Sequence, residues 1–237
     1  MRIVLIGNTG QLGYELERTL AGLGTVLVLD YPELDLSHPQ QALAQVKALQ
    51  PQVIVNAAAY TAVDQAEAQP DVAQAINAEA PGLLAELALH TGAALVHYST
   101  DYVFDGGKGA PYVESDLPNP LGAYGRSKLA GEQAIQQVGG ASLIFRTSWV
   151  YSTRRASFVS KVLQWARQQE TLHLVEDQVS NPTWSRALAE ISAQVLARAL
   201  PEVTGWVQER RGLYHLAGAG YASRLEWGEA ILRLDSH

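Results

Sequence analysis

Short apolar runs alternate with longer helical stretches over the first 150 residues, and this alternation limits the possible folds more than any other feature. Five runs of four to six residues consist almost entirely of β-branched and other apolar side chains. Such continuous runs are typical of strands covered by helices on both faces, as in a parallel sheet. Strands that alternate with helices predict an α/β fold with a Rossmann-like, doubly wound parallel sheet. The predicted strands are Arg2–Ile6, Val26–Leu29, Val53–Asn56, Ala94–Ser99 and Ser142–Thr147.

Helical patterns lie between these strands and continue after them. The predicted helices of the first part are Gln11–Ala21, Pro39–Leu49, Asp71–Leu89 and Ala123–Val138. After Tyr151 the rhythm changes, which indicates a smaller C-terminal lobe over the strand ends, where open α/β sheets bind ligands. Its predicted elements are the helices Phe158–Gln169, Trp184–Leu200 and Ser223–Leu234 and the strands Leu172–Val175 and Gly212–Leu216.

Composition excludes several classes of function. The chain of 237 residues contains no cysteine, which excludes structural disulfides, thiolate zinc sites and a cysteine nucleophile. A formal net charge of −7, with only isolated dibasic pairs, argues against nucleic acid as a partner. No signal-peptide pattern opens the chain, and no apolar stretch approaches the ~18–20 residues of a membrane span. We therefore expect a cytoplasmic protein without a membrane partner.

A glycine-rich turn, Gly7-Asn8-Thr9-Gly10-Gln11-Leu12-Gly13, follows the first predicted strand and opens the first helix. In a dinucleotide-binding turn, glycines permit the tight bend, the approach of a pyrophosphate and the packing of helix on strand. The spacing here is GxxGxxG, a variant of the usual fingerprint. The alternative is a glycine-rich turn without a ligand, but the strand–turn–helix context favours a nicotinamide dinucleotide.

Asp30 ends the second predicted strand. A carboxylate at this point can accept hydrogen bonds from the adenosine ribose and repels a 2′-phosphate, which favours NADH over NADPH. The alternative is an ordinary strand-end aspartate in an acidic stretch with Glu33 and Asp35.

Tyr124 and Lys128 stand four residues apart in a predicted helix, so both side chains lie on one helical face. A tyrosine hydroxyl, with a reference pKa of ~10, is a poor acid–base catalyst near neutrality, and a nearby cation lowers that pKa. Such a pair can give a proton to a ketone oxygen as hydride reaches its carbon. Alone, the spacing is most often that of an ordinary surface pair.

Polar residues also end the fourth predicted strand, at His97-Tyr98-Ser99-Thr100-Asp101. The carboxyl end of a parallel strand is where ligands bind. We expect one hydroxyl, from Ser99 or Thr100, to face the cleft and hydrogen-bond the carbonyl being reduced. His97 is interpreted as a buried core histidine.

At these residues the sequence resembles the extended short-chain dehydrogenase/reductases and, within them, the dTDP-4-dehydrorhamnose reductases. The resemblance extends over several blocks between Met1 and about Gly220, and three of the blocks are specific to this branch. The blocks are Gly7–Gly13, Val55–Asp64, Ser99–Asp105, Tyr124–Glu132, Phe145–Tyr151 and Asp177–Thr183.

The resemblance implies reduction of the 4-keto group of dTDP-4-dehydro-β-L-rhamnose to dTDP-L-rhamnose, the last step of dTDP-rhamnose biosynthesis, with NADH or NADPH. By matching motifs, Tyr124 would donate the proton, Lys128 would lower its pKa and bind the nicotinamide ribose, and Thr100 would hold the substrate oxygen. Asp101 and Trp149 would join Thr100 in contacting the sugar nucleotide. The residues implied along the cofactor are Gly7, Asn8, Thr9, Gly10, Gln11, Leu12, Gly13, Asp30, Asp35, Leu36, Ala59, Tyr60, Thr61, Tyr98, Tyr124 and Lys128. Residues 1–150 would form the NAD(P)-binding Rossmann domain and residues 151–237 the substrate lobe, with some crossover between them.

The sequence departs from the family's pattern in two places. Ser180 replaces the usual glycine of a DQxGxPT segment, and the chain stops at His237, where relatives continue with an arginine-proline segment and with acidic residues that can hold magnesium in a dimer. We expect a monomer or homodimer; Mg²⁺ is possible, but no metal ligand is assigned. The alternatives are a reductase or epimerase of another nucleotide sugar, and a non-catalytic, cofactor-binding regulatory subunit such as the one that associates with methionine adenosyltransferase.

Overall fold

The computed structural model describes residues 1–235, and its centre is a parallel sheet of six strands in the order β2-β1-β3-β4-β5-β9. Two further pairs of two-residue strands lie outside this sheet. The strands are β1 Arg2–Ile6, β2 Thr25–Leu29, β3 Val53–Asn56, β4 Ala94–Thr100, β5 Ser142–Thr147, β6 Val150–Tyr151, β7 Val179–Ser180, β8 Thr183–Trp184, β9 Gly212–His215 and β10 Ala222–Ser223.

Helices cover both faces of the large sheet. Along β1, Ile3 and Leu5 enter one apolar core, while Val4 and Ile6 enter the other. Because successive side chains of a strand point to opposite faces, burial on both faces requires the continuous apolar runs of the sequence. The helices are α1 Gln11–Leu20, α2 Pro39–Ala48, α3 Val63–Ala68, α4 Pro70–Gln74, α5 Ala80–Thr91, α6 Ala123–Val138, α7 Phe158–Gln168, α8 Ser185–Arg198, α9 Val203–Glu209 and α10 Arg224–Leu234.

The predicted doubly wound α/β sheet is confirmed, and each of the five predicted strands of the first part is present within one residue at either end. The single helix predicted for 71–89 is instead α4 and α5 joined by a π-helical turn at Ala75–Glu79. The short helices α3 and α9 were not predicted.

The strand predicted at Leu172–Val175 is wrong, because this segment has no regular secondary structure. Its alternating apolar residues pack on the small lobe instead of pairing in a sheet. Leu172 contacts the lobe's apolar cluster, and the Leu174 side chain lies against Gly228 of α10.

Elements that follow residue 150 pack both on the large sheet and in the small lobe. Helix α8 packs on α1, and β9 forms an edge of the large sheet, whereas α7, α10, β7 and β10 form the lobe. A division at residues 150 and 151 therefore stays a prediction, and residues 236–237 of the predicted lobe lie outside the described residues. Within residues 1–235 no helix is long and apolar enough to cross a membrane.

Candidate active site

Two of the three turn glycines are required by the fold itself. Gly7 has a φ of +90°, and a Cβ there would lie 2.7 Å from the Ala58 nitrogen. A Cβ on Gly13 would lie 1.9 Å from the Gly7 carbonyl oxygen, so helix and strand could not pack as they do. Any other residue at either position would clash with backbone that has no room to move.

Gly10 is different, because the fold alone does not demand it. Its backbone is extended at φ −70° and ψ 170°, and an added Cβ would approach only the Gly7 oxygen, at 3.3 Å. Gly10 is the N-cap residue of α1, and no side chain caps this helix end. Uncapped N–H groups and the helix dipole at such an end favour a phosphate. The turn therefore has the backbone shape and the polarity that a pyrophosphate needs.

Asp30 lies beside this turn at the end of β2. Its carboxylate accepts hydrogen bonds from the backbone N–H groups of Thr9 and Tyr31, both at 2.8 Å. A carboxylate offers about four acceptor positions, so two stay open for ribose hydroxyls. Asp30 therefore stabilises the turn and retains the capacity to bind a ribose.

Asp35, by contrast, uses its carboxylate locally. It accepts hydrogen bonds from the backbone and the hydroxyl of Ser37, which lower the pKa of Asp35, and it lies 3.3 Å from His38 before α2. Leu36 beside it is buried in the core. The cofactor contacts predicted for these two residues stay predictions.

The segment Ala59-Tyr60-Thr61 after β3 is held by a residue that the sequence analysis missed. The Asn77 amide accepts from the Tyr60 N–H at 2.9 Å and donates to the Tyr60 carbonyl and to the Ser127 hydroxyl at 3.1 and 3.0 Å. Asn77 lies in the π turn and is fully buried. It thereby holds the Tyr60 backbone against Ser127 of α6, and only the presence of an amide side chain inside an apolar helix could have drawn attention to it.

Tyr124 lies in the first turn of α6 with 9% of its surface exposed, and its hydroxyl faces the Thr100 hydroxyl. The helix approaches the strand end closely, since a Cβ on Gly125 would lie 2.2 Å from the Tyr102 carbonyl oxygen. Burial raises the pKa of Tyr124, and the Thr100 hydrogen bond opposes this only in part. The sequence analysis expected Lys128 to lower that pKa; in this structure desolvation outweighs any such effect.

Lys128 is 1% exposed, and its Nζ donates to the Tyr98 carbonyl oxygen at 2.7 Å and lies 3.3 Å from His97 Nε2. Burial lowers the pKa of Lys128 to about 8, although Glu132 one turn further along α6 acts in the opposite direction. Desolvation disfavours the charged form of an amine, which accounts for the direction.

Thr100 and Asp101 form the polar end of β4. The Thr100 hydroxyl accepts from the Tyr102 N–H and donates to Asp101 Oδ1, at 3.2 and 3.1 Å. Asp101 Oδ2 accepts from the Ser180 hydroxyl at 2.7 Å. Burial raises the pKa of Asp101. Ser180, the departure from the family's glycine, thus links β7 of the small lobe to the strand end.

Of the two candidate hydroxyls, Thr100 faces Tyr124, whereas Ser99 is buried without a hydrogen-bond partner among the described residues. Along β4, the Tyr98 side chain points to the face of the sheet opposite that of its neighbours His97 and Ser99. Its hydroxyl donates to Ser192 at 2.7 Å, and its ring packs on Phe145. Only the Tyr98 backbone carbonyl therefore lies at Lys128. The cofactor contact predicted for Tyr98 stays a prediction.

Trp149 lines a cavity of about 320 Å³ between the glycine turn and the small lobe. It has a φ of +40° and stacks on Trp227, with 5.5 Å between the ring centroids. The Arg224 guanidinium lies over the Trp149 ring, 3.6 Å from the ring centre. Gln11 and Lys161 also line the cavity. The sequence analysis missed Arg224, Lys161 and Trp227, because no spacing rule connects them to residues 11 and 149.

Among residues 1–235, no group of three or more histidine, aspartate or glutamate side chains lies together as a metal site would require.

The arrangement agrees with comparisons with known proteins. The model of the family described as "RmlD substrate binding domain" matches residues 1–237. A dTDP-4-dehydrorhamnose reductase of Burkholderia thailandensis is 44% identical over 98% of this chain and 78% of its own length. Among solved structures, a dTDP-4-dehydrorhamnose reductase of Clostridium acetobutylicum has a TM-score of 0.90 at 34% identity, covering 99% of this chain and 80% of that one. The Bacillus anthracis enzyme in complex with NADP has a TM-score of 0.88 at 33% identity, covering 98% and 79%. With this identity over nearly its whole length, the chain belongs to the dTDP-4-dehydrorhamnose reductase family.

Proposed function

We propose that this chain reduces the 4-keto group of dTDP-4-dehydro-β-L-rhamnose to give dTDP-L-rhamnose. The observation that carries the proposal is the Tyr124 hydroxyl facing the Thr100 hydroxyl at the carboxyl end of the sheet. Lys128 is buried on the same helix, and the uncapped glycine turn begins α1 at the same edge. The names of the relatives supply the substrate class, and the geometry supplies the reaction type.

The residues of the turn fit a nicotinamide dinucleotide. The open backbone at Gly10, the uncapped N-terminus of α1 and the spare acceptor capacity of Asp30 match a pyrophosphate and a ribose. When bound, the coenzyme supplies the hydride. The NADP of the B. anthracis structure supports this class of cofactor. Because of Asp30, we expect NADH to bind at least as tightly as NADPH.

Tyr124 is the proton donor in this proposal. Its raised pKa keeps the phenol protonated at neutral pH, which is the form that a reduction requires. To hold the ketone oxygen, Thr100 turns its single hydroxyl proton from Asp101 Oδ1, to which it donates in this structure, towards the substrate.

Asp101 and Trp149 contact the sugar nucleotide in this proposal. Asp101 offers a carboxylate to sugar hydroxyls, and Trp149 presents an aromatic face above the cavity. Arg224 lies on Trp149 and adds a positive charge suited to a diphosphate.

The test is a turnover assay with dTDP-4-dehydrorhamnose and each coenzyme, following coenzyme oxidation and identifying the product by NMR. We expect dTDP-L-rhamnose, and we expect a folded Tyr124→Phe variant to lose ~10²–10⁴-fold in rate. Normal turnover by that variant would remove Tyr124 as the donor. Coenzyme binding without turnover of any nucleotide sugar would instead support the regulatory subunit, and turnover of a different sugar nucleotide would support another enzyme of the superfamily.

A further inference from the structure

Helix α6, which carries Tyr124 and Lys128, begins without a capping side chain of its own. Its N-cap residue is Gly122, whose backbone is extended at φ −110° and ψ 165°. The first N–H groups of an α-helix have no partner within the helix, and a serine, threonine, aspartate or asparagine at the N-cap usually supplies one. For α6 the acceptor comes from another part of the chain.

The acceptor is the carboxylate of Glu67 on the neighbouring helix α3. Its Oε1 accepts from the Ala123 N–H at 2.5 Å, and its Oε2 lies 3.6 Å from the guanidinium of Arg126, one turn further along α6. Arg126 also donates to the Leu121 carbonyl at 2.8 Å, which holds it across the start of the helix. A carboxylate is favourable at this end of a helix because it compensates the partial positive charge of the N–H groups.

The glycine at position 122 makes room for this carboxylate. A Cβ there would lie 3.0 Å from Glu67 Oε1, closer than non-bonded atoms normally approach. The φ of Gly122 is one that any residue can adopt, so the backbone conformation does not explain the glycine. The approach of Glu67 does explain it, and the glycine at the N-cap and the glutamate on α3 are complementary parts of one contact.

Helix α3 also adjoins the predicted coenzyme segment. It begins at Val63, shortly after Ala59–Thr61. Tyr60 of that segment and Val63 pack on the small apolar cluster that contains Tyr124. The hydrogen bond from Glu67 lies beside this cluster, one residue before Tyr124 along α6. It therefore joins the first turn of α6 to the helix that follows the coenzyme segment.

We propose that Glu67 is a positioning residue for the reduction: by tying the first turn of α6 to α3, it sets the place of the Tyr124 hydroxyl relative to the coenzyme. Glu67 acts through Tyr124 and takes no part in the proton transfer itself. Further along α6, the buried pair of Glu132 and Arg146 holds the helix to the sheet, and Glu67 secures the end that carries the proton donor. The inference rests on the proposed function, since it concerns the placement of the proposed donor.

Two variants of the full chain separate positioning from simple helix capping. Glu67→Ala removes the acceptor, whereas Glu67→Ala combined with Gly122→Ser supplies a hydroxyl cap within α6 but leaves α3 unattached. We expect Glu67→Ala to lower Tm by about 2–4 °C, the usual loss of one cap in a chain of this length. Well below Tm it should lower kcat about tenfold, as a small misplacement of a reacting group would, with the KM of the nucleotide sugar unchanged. In the double variant Tm should return to the parent value while kcat stays low.

NMR reads the same contact without turnover. The Ala123 amide should exchange with solvent slowly in the parent and faster in Glu67→Ala. The ring signals of ¹³C-labelled Tyr124, assigned with Tyr124→Phe, should move in Glu67→Ala and in the double variant. Glu67→Gln keeps an oxygen acceptor and should retain the kcat and the Tyr124 signals of the parent. The matched control, Glu86→Ala on the exposed part of α5, should change none of these quantities.

Recovery of kcat together with Tm in the double variant would overturn the inference, because Glu67 would then be only a helix cap; an unchanged kcat in Glu67→Ala would overturn it as well. If Gly122→Ser does not restore Tm, equal kcat values in Glu67→Ala and Glu67→Gln would refute the inference, and a loss in the alanine variant alone would support it. If the chain turns over no nucleotide sugar, the proposed function fails and the Tyr124 ring signals decide the role of Glu67. Signals displaced in both alanine variants support that role, and signals that match those of the parent refute it.

Discussion

A buried ion pair holds α6 to the sheet, and removing one partner should lower the stability of the protein considerably. Arg146 on β5 donates to Glu132 on α6 through Nε at 2.9 Å and Nη2 at 2.6 Å, with the two side chains 5% and 1% exposed. Glu132→Gln leaves the guanidinium buried without a countercharge. Breaking such a pair costs about 3–5 kcal/mol, a large part of the ~5–15 kcal/mol that stabilises a typical protein.

The cost can be measured by urea unfolding, followed by tryptophan fluorescence, and by calorimetry. For a chain of this length each kcal/mol lowers Tm by about 2–4 °C, so we expect a fall on the order of 6–20 °C. The matched control is Glu190→Gln. Arg186 and Glu190 form a bond of similar length, 2.8 Å, but are 56% and 46% exposed. Solvent screens that pair, and we expect no measurable change in Tm.

The reasoning would be refuted if the two variants lost equal stability, or if Glu132→Gln unfolded at the same urea concentration as the parent. Either result would mean that water or a rearranged neighbouring group stabilises the buried positive charge of Arg146 in place of Glu132. Because Glu132 also raises the pKa of Lys128, the variant should in addition lower that pKa further, which NMR of isotope-labelled lysine side chains can show.

Four further substitutions test the site. Gly13→Ala should prevent folding, because its Cβ would lie 1.9 Å from a carbonyl oxygen. In Gly10→Ala the corresponding distance is 3.3 Å, so this variant should fold but bind the coenzyme more weakly. Circular dichroism measures the folding of both variants and titration measures coenzyme binding; equal folding of the two would contradict the clash at Gly13. Ser180→Ala removes a hydrogen-bond donor to Asp101 and should raise the pKa of that carboxyl. The acid limb of the plot of kcat/KM against pH should therefore move to higher pH. An unchanged acid limb would mean that the ionisation of Asp101 does not control it. Between about pH 8 and 10.5 the unfolded chain binds more protons at Lys128 than the folded chain, so stability should rise with pH through this window relative to Lys128→Met. Urea unfolding of both proteins at several pH values checks this, and parallel curves would contradict it.

Much of the fold follows from local sequence because the constraint is itself local. A strand buried on both faces must be apolar throughout, so β1, β3 and β5 were predicted with their observed bounds. Leu172–Val175 has a similar apolar content, yet no neighbouring strand pairs with it. Composition indicates that such a segment will be buried, and only the tertiary structure decides what it is buried against.

The candidate site divides in the same way. The glycine turn and the Tyr124–Lys128 face are set by backbone sterics and helical spacing, and both can be predicted from a few adjacent residues. The charge state of the site is not local. Whether Tyr124 is acidic or Lys128 cationic depends on desolvation and on partners supplied by other strands and helices.

The sequence by itself therefore determined the sheet and the turn, and it predicted which side chains take part in the reaction. The tertiary structure alone decided which of them meet: Ser180 with Asp101, Arg224 with Trp149, and Lys128 with His97. These pairs lie far apart in the chain, and no periodicity of a single helix or strand relates them. Chain folding brings them together, and their burial then sets their protonation.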